Sequence, residues 1–241
     1  MPILSLDKVS KRYGAVVVAD SIDLTVNEGE ALGIIGPNGA GKTSLFNLIA
    51  GAVEVDAGTI RFRDNDITRA PAASRCRMGL SRSFQIPQPF VGMSVFENIV
   101  VGAAFGGGRS ERGSYPRAVE VLEMTGLIRK ANAIAGSLTL LERKRLELAR
   151  ALATEPKLLL LDEIAGGLTE GECQELVGTI TDFRKTGISI VWIEHIVHAL
   201  MAVIDRLIVI DFGKLIANGD PKTVIASPQV AEIYLGIEAD A

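Results

Sequence analysis

Gly36-Pro37-Asn38-Gly39-Ala40-Gly41-Lys42-Thr43 fits the spacing G-x-x-x-x-G-K-[ST], which describes a loop that wraps phosphates. Its glycines let successive backbone N–H groups turn inward into an anion-binding nest that side chains would crowd. Lys42 brings a cation to the β/γ-phosphates, and the Thr43 hydroxyl can ligate a magnesium ion. A helix from about Gly41 to Ala50 directs its positive dipole end at the same anion. Before the loop, Glu30-Ala31-Leu32-Gly33-Ile34-Ile35 reads as a short buried parallel strand, and after it Leu45, Leu48 and Ile49 fall at helical spacing. Strand, loop and helix stand in the order the motif requires, which favours it over a Gly-rich turn in an ordinary α/β protein. The stretch implies that the chain binds a nucleoside triphosphate.

The chain has 241 residues, enough for one large domain or two small ones. Its formal net charge of −4 argues against a general nucleic-acid binder. The two cysteines, Cys76 and Cys173, match no metal spacing and give no disulfide framework, so a reducing interior is expected. Met1 to Ser10 lacks the basic start and apolar core of a signal peptide. The apolar run Leu158 to Leu161 is far short of the ~20 residues of a membrane-spanning helix.

The first sixty or so residues read as β-rich, with strands at Ile3 to Leu6, Ala15 to Val18, Ile22 to Val26 and Thr59 to Arg63. Such strands around the loop point to an antiparallel sheet beside a parallel one. Tyr13, in a polar stretch, either stacks on a base or packs on its neighbours. From 71 to 150 the segments read mostly as helices between prolines. Ser94 with Glu97 makes a capping box for Val95 to Val101, a helix is expected over Pro116 to Met124, and Gly126 stops it. Thr139-Leu140-Leu141-Glu142 is a second box, opening a helix from about Leu140 to Leu152 whose charges (Glu142, Arg143, Lys144, Arg145, Glu147) lie mostly on one face, which plain solvation would also explain.

Lys157 to Leu161 reads as a buried strand ending in Asp162-Glu163. Two carboxylates there are costly without a compensating cation, and ligands of α/β sheets collect at the carboxyl ends of strands. Asp162 is then expected to meet the magnesium held by Thr43, and Glu163 to orient or deprotonate the attacking water; the bland alternative is a pair that caps the next helix. Glu170 to Thr186 reads as a helix stopped by Gly187, and Ile188 to Ile193 as another buried strand, followed by Glu194-His195. That position makes His195 a candidate donor to a γ-phosphate, whereas His198 reads as structural or surface. Leu207 to Ile210 and Leu215 to Ala217 read as a hairpin, and Asp220 to Ala226 and Ser227 to Gly236 as short helices.

This order resembles the ATP-binding subunit of ABC transporters along nearly the whole chain. GPNGAGKT matches the P-loop, Gln85 in Ser83-Phe84-Gln85 the Q-loop glutamine, Leu158 to Glu163 Walker B, His195 the switch histidine and Tyr13 the adenine-stacking position. The resemblance implies an α/β P-loop NTPase fold with a mostly parallel core sheet, an N-terminal antiparallel β subdomain and a helical insert. It implies one ABC ATPase domain over residues 1–241, with a helical subdomain at about 88–155. ATP and Mg2+ are the implied cofactors. Tyr13, Gly36, Pro37, Asn38, Gly39, Ala40, Gly41, Lys42, Thr43, Ser44 and Thr139 are implied in nucleotide binding, Thr43, Gln85 and Asp162 in metal ligation, and Glu163, His195 and Gln85 in catalysis. The implied partners are a second ATP-binding subunit, the same or different, integral membrane permease subunits met just after Gln85 through Phe90 and Met93, and indirectly a periplasmic or extracellular solute-binding protein. The implied location is peripheral, at the cytoplasmic face of the cell membrane.

The chain departs from the family at the signature, where LSGGQ is replaced by Leu138-Thr139-Leu140-Leu141-Glu142. Leucine costs about 1–2 kcal/mol per position if positive φ is required there, and nothing of the kind in the first turn of a helix. Glu142 is expected to repel a triphosphate unless it folds back as the third residue of the capping box. Thr169 replaces the D-loop aspartate, and Ile164 stands where proline is usual. The tail Val230 to Gly236 and the helix after the signature resemble the branched-chain amino acid importers, with lipopolysaccharide exporters as the nearest rival. A soluble ABC ATPase acting on DNA or ribosomes usually carries coiled-coil inserts, a fused second ATPase domain or a basic face; a P-loop kinase has no reason to carry Gln85 and His195 in this order. An ATPase powering import of branched-chain or related amino acids is the function this pattern favours.

Overall fold

Pairing with a single long β2 (Val16–Asn27) carries the first strand far beyond its expected end at Leu6: β1 runs Pro2–Tyr13, antiparallel to it, although only Val9 is buried after Leu6. The computed structural model describes residues 1–235. These divide into two units, one of residues 1–71 with 189–235 and one of residues 72–188. In the first unit β3 (Ala31–Ile35) is buried throughout, as its unbroken apolar run demands, and leads through the loop into α1, Lys42–Ala50. β4 (Ala57–Phe62) and the short β5 (Asn65–Asp66) complete an antiparallel sheet in the order β2-β1-β4-β5.

The second unit opens with α2 (Ala72–Arg77) and β6 (Leu80–Arg82). The sequence reading of helices between prolines missed β6, because three residues are too few to show a period. Ser94 caps α3 (Val95–Val101) with the full box expected, and a π-helical turn at Gly102–Gly106 extends it. α4 spans Glu111–Met124, so the start expected at Pro116 is corrected. Ser110 Oγ accepts the Gly113 N–H at 3.1 Å and begins the helix one and a half turns earlier, leaving Pro116 inside it. α5 (Leu140–Ala153) begins at Thr139 as expected, and β7 (Leu158–Asp162) pairs parallel with β6. α6 (Glu170–Arg184) begins at Thr169, whose capping box with Glu172 gives that residue a local structural task.

Within the first unit the chain resumes with β8, Ser189–Ile193, then α7, Val197–Met201, β9, Arg206–Asp211, and β10, Lys214–Gly219. β3 lies between β8 and β9, parallel to both, and β10 returns antiparallel along β9. Arg206 holds the two sheets of this unit together: its guanidinium donates to Glu30 at 2.5 Å and to the Thr25 carbonyl on β2 at 2.6 Å. α8 (Pro221–Ile225) and α9 (Pro228–Leu235) follow; Gly236, where the last helix was expected to end, lies outside the described residues. Among the described residues no helix is long and apolar enough to cross a membrane.

Candidate functional site

In the first unit, two glycines of the loop are fixed by close approach. A Cβ at Gly36 would sit 2.1 Å from the Ile210 carbonyl oxygen, and one at Gly41, with φ +105°, 2.3 Å from that of Val18. The loop is thus seated on β9 and β2 by its backbone, which no side chain would allow. Its outer edge is open: Asn38 and Gly39 are exposed, and a Cβ at Gly39 meets nothing within 4 Å. Lys42 is buried, with Nζ donating to the carbonyls of Gly36 at 2.7 Å and Pro37 at 2.9 Å. A cation therefore lies under a glycine loop at the N-terminus of α1, and this arrangement fits a phosphate chain. Thr43 is exposed and Ser44 half-buried in the first turn of that helix, while Ala40 is buried and Pro37 half-buried.

Tyr13 ends β1 with half of its surface exposed, and Lys11 Nζ lies 5.5 Å from its ring centroid. The ring is therefore not packed away among neighbours. His195 follows the end of β8 by two residues and is exposed, while Glu194 is buried and accepts the His195 backbone N–H at 3.0 Å. His198 is exposed on α7.

In the second unit β7 delivers Asp162 and Glu163 where expected. Asp162 is buried, and its Oδ2 accepts from Arg82 Nη2 at 2.7 Å. Glu163 has φ +45°, a left-handed backbone rare for a side chain with a Cβ. Gln85 Nε2 donates to Glu163 Oε2 at 2.5 Å. Lys144 on α5 is buried and donates to two backbone carbonyls, those of Gln85 and Glu163. A cleft of about 450 Å³ is lined by Gln85, Pro87, Leu140, Lys144, Glu163 and Gly167 among others.

For α5, whose charged face was open to plain solvation, the structure buries part of that face. Glu147 is buried as well as Lys144; its Oε2 accepts the Gln88 N–H at 3.3 Å, and Arg150 Nη1 lies 3.2 Å from it. Burial pushes the Glu147 carboxyl up, against the pull of Arg150 and of backbone N–H donors. Arg150 also donates to the Gln88 carbonyl at 2.6 Å and lies over the Phe90 ring. Arg82, Lys144 and Glu147 are what sequence reasoning missed here. The i, i+3, i+6 spacing of Lys144, Glu147 and Arg150 is the signal that marks a shared face; nothing in the sequence points Arg82 at Asp162.

At the altered signature Thr139 caps α5, with Oγ1 accepting the Glu142 N–H at 3.3 Å. Glu142 folds back, accepting the Thr139 N–H at 3.0 Å and pairing with Lys130 at 3.0 Å. Those bonds, the first of them foremost, hold its carboxyl below the usual range. Leu140 and Leu141 occupy the first turn without positive φ, so leucine is tolerated there.

Among the described residues no cluster of three or more His, Cys, Asp or Glu can hold a metal. The Thr43 hydroxyl, exposed in the first turn of α1, and the Asp162 carboxylate are each oxygen donors of the kind that magnesium takes together with phosphates and water.

A sequence model described as ABC transporter matches residues 19–166. The chain is 35% identical to the high-affinity branched-chain amino acid transport ATP-binding protein LivG of Escherichia coli (strain K12), over 98% of each chain. It is 34% identical to the lipopolysaccharide export system ATP-binding protein LptB of the same organism, again over 98% of each. Among solved structures, the ADP conformation of MJ1267, an ATP-binding cassette of an ABC transporter, superposes with a TM-score of 0.89 at 32% identity, covering 98% of this chain and 100% of that one. Loop, strand ends and relatives agree: the chain belongs to the ABC transporter family, as one of its ATP-hydrolysing ATP-binding subunits.

Proposed function

We propose that this subunit powers import of branched-chain or related amino acids. Likeness to LivG over 98% of both chains supports that solute class. The equally extensive likeness to LptB favours lipopolysaccharide export as the second reading. The whole chain acts as one ABC ATPase domain, with a helical subdomain at about 88–155. It pairs with a second ATP-binding subunit and sits on permease subunits at the cytoplasmic face of the membrane, near Phe90 and Met93, and a solute-binding protein acts on it indirectly.

For the reaction, the observation that carries the reading is the Gln85 amide against the Glu163 carboxylate at the end of β7. Glu163 takes the proton of the attacking water, and Gln85 fixes which carboxylate oxygen faces that water. Lys42 and the amides of Gly36 to Thr43 hold the phosphates, with Ser44 beside them, and Tyr13 stacks on the base. His195 donates to the γ-phosphate, and Thr139 offers its end of α5 to the nucleotide of the facing subunit. Thr43, Gln85 and Asp162 are assigned as magnesium ligands. Magnesium, when bound, neutralises charge building on the phosphate oxygens.

The transporter, purified through a tag on this chain and reconstituted in vesicles, is tested for ATP-dependent uptake of leucine and valine and for lipopolysaccharide-stimulated turnover. Uptake that Glu163→Gln abolishes supports the first reading. Lipopolysaccharide stimulation without uptake replaces it with the second. Wild-type turnover in Glu163→Gln overturns the assignment of the base.

A further inference from the structure

Lys144, Glu147 and Arg150 form one row along α5, and all three meet the segment from Gln85 to Phe90. Lys144 Nζ lies 3.2 Å from the Gln85 carbonyl oxygen and 3.4 Å from that of Glu163. Three residues on, Glu147 takes the Gln88 N–H, and Arg150 takes the Gln88 carbonyl. Lys144 is only 4% exposed. Burying an ammonium is costly unless it is hydrogen-bonded, and these two carbonyls are among the partners that meet it in the interior. The two carbonyls are main-chain groups of the two residues whose side chains meet at 2.5 Å.

We propose that Lys144 is a positioning residue for ATP hydrolysis, which ties the backbone of Gln85 to that of Glu163 and so holds the amide against the carboxylate. The inference rests on the reading of Glu163 as the base. Lys144 reaches backbone oxygens of the two residues, so it acts through them rather than on the nucleotide. A left-handed residue persists where its surroundings over-determine it, and a cation on the Glu163 carbonyl is one such constraint. Glu147 and Arg150 grip the same loop at Gln88, so loss of Lys144 frees the Gln85 end while the far end stays anchored.

The test uses the transporter purified through a tag on this chain, with Lys144→Met, Lys144→Arg and, as control, Glu163→Gln. Turnover is normalised to nucleotide-binding stoichiometry, and hydrogen exchange is followed at residues 84–88. Lys144→Met is expected to lower kcat roughly ten- to a hundredfold, the scale of a small misplacement at a reacting centre. KM for ATP should stay within about threefold, since binding is untouched. Exchange at 84–88 should speed up, and Lys144→Arg should recover most of the turnover. If Lys144→Met does not fold, Lys144→Gln is held to the same expectations. Unchanged kcat per bound nucleotide, or no rescue by arginine, overturns the proposal while leaving Glu163 as base. Wild-type turnover in Glu163→Gln overturns the base and the proposal together.

Discussion

Arg82 and Asp162 form a buried ion pair, with Nη2 of the first 2.7 Å from Oδ2 of the second and side chains 8% and 3% exposed. The strand β6 carries Arg82 alongside β7, where its guanidinium meets a buried carboxylate at the strand end. Breaking such a pair leaves a buried charge alone and costs about 3–5 kcal/mol. Arg82→Met is therefore expected to lower the unfolding free energy by that amount, read in urea unfolding as a lower midpoint at an unchanged m-value.

The loop glycines should separate by environment. Gly36→Ala drives a methyl against the Ile210 carbonyl backbone and should abolish nucleotide binding. Gly39→Ala meets nothing, so only its φ of +82° opposes the change, at about 1–2 kcal/mol. Nucleotide titration and thermal unfolding of both variants check this; equal losses would refute the ranking.

The altered signature behaves as an ordinary helix start. Thr139→Ala should cost about 1 kcal/mol and Thr139→Ser almost nothing. Leu140→Gly, a return toward the family pattern, should destabilise by about 1 kcal/mol, since no strain is there to relieve. Glu142→Gln should change turnover by less than about fivefold, the factor matching 1 kcal/mol, because the carboxylate is already held by Thr139 and Lys130. A larger rise would mean that its charge opposes the nucleotide.

Glu97, Glu142 and Glu172 are three box carboxylates, each held below its ordinary value of 4.5 chiefly by the N–H of its cap residue. Their contribution is complete above about pH 4.5 and disappears as pH falls through the depressed folded values. Glu147, raised by burial, has the opposite sign and loses its contribution as pH rises through its folded value. Replacing the three box glutamates by glutamine keeps the caps and removes the titration. The stability of the triple variant should fall less steeply below pH 4.5 than that of wild type.

Local rules made the loop, the capped helices and both site-bearing strands legible. The phosphate loop needs its glycines at fixed spacing, a capping box is complete within four residues, and an unbroken run of leucines has no place but the interior. What escaped was decided by partners distant in sequence. Lys144 and Glu147 look like surface charges until the Gln85–Phe90 segment lies over them. β6 exists because β7 offers it a parallel edge; the early start of α4 is the local exception, set by the Ser110 cap on Gly113. Tyr13 was open to two readings, and the structure shows a half-exposed ring with Lys11 beside it.

The left-handed backbone of Glu163 sets stability against turnover. A residue with a Cβ held at φ +45° gives up about 1–2 kcal/mol relative to glycine. Glu163→Gly should therefore raise the unfolding midpoint while removing the carboxylate. Variants selected only for heat tolerance are then expected to accumulate at this position and to emerge inactive, because stability alone does not preserve the group that does the chemistry.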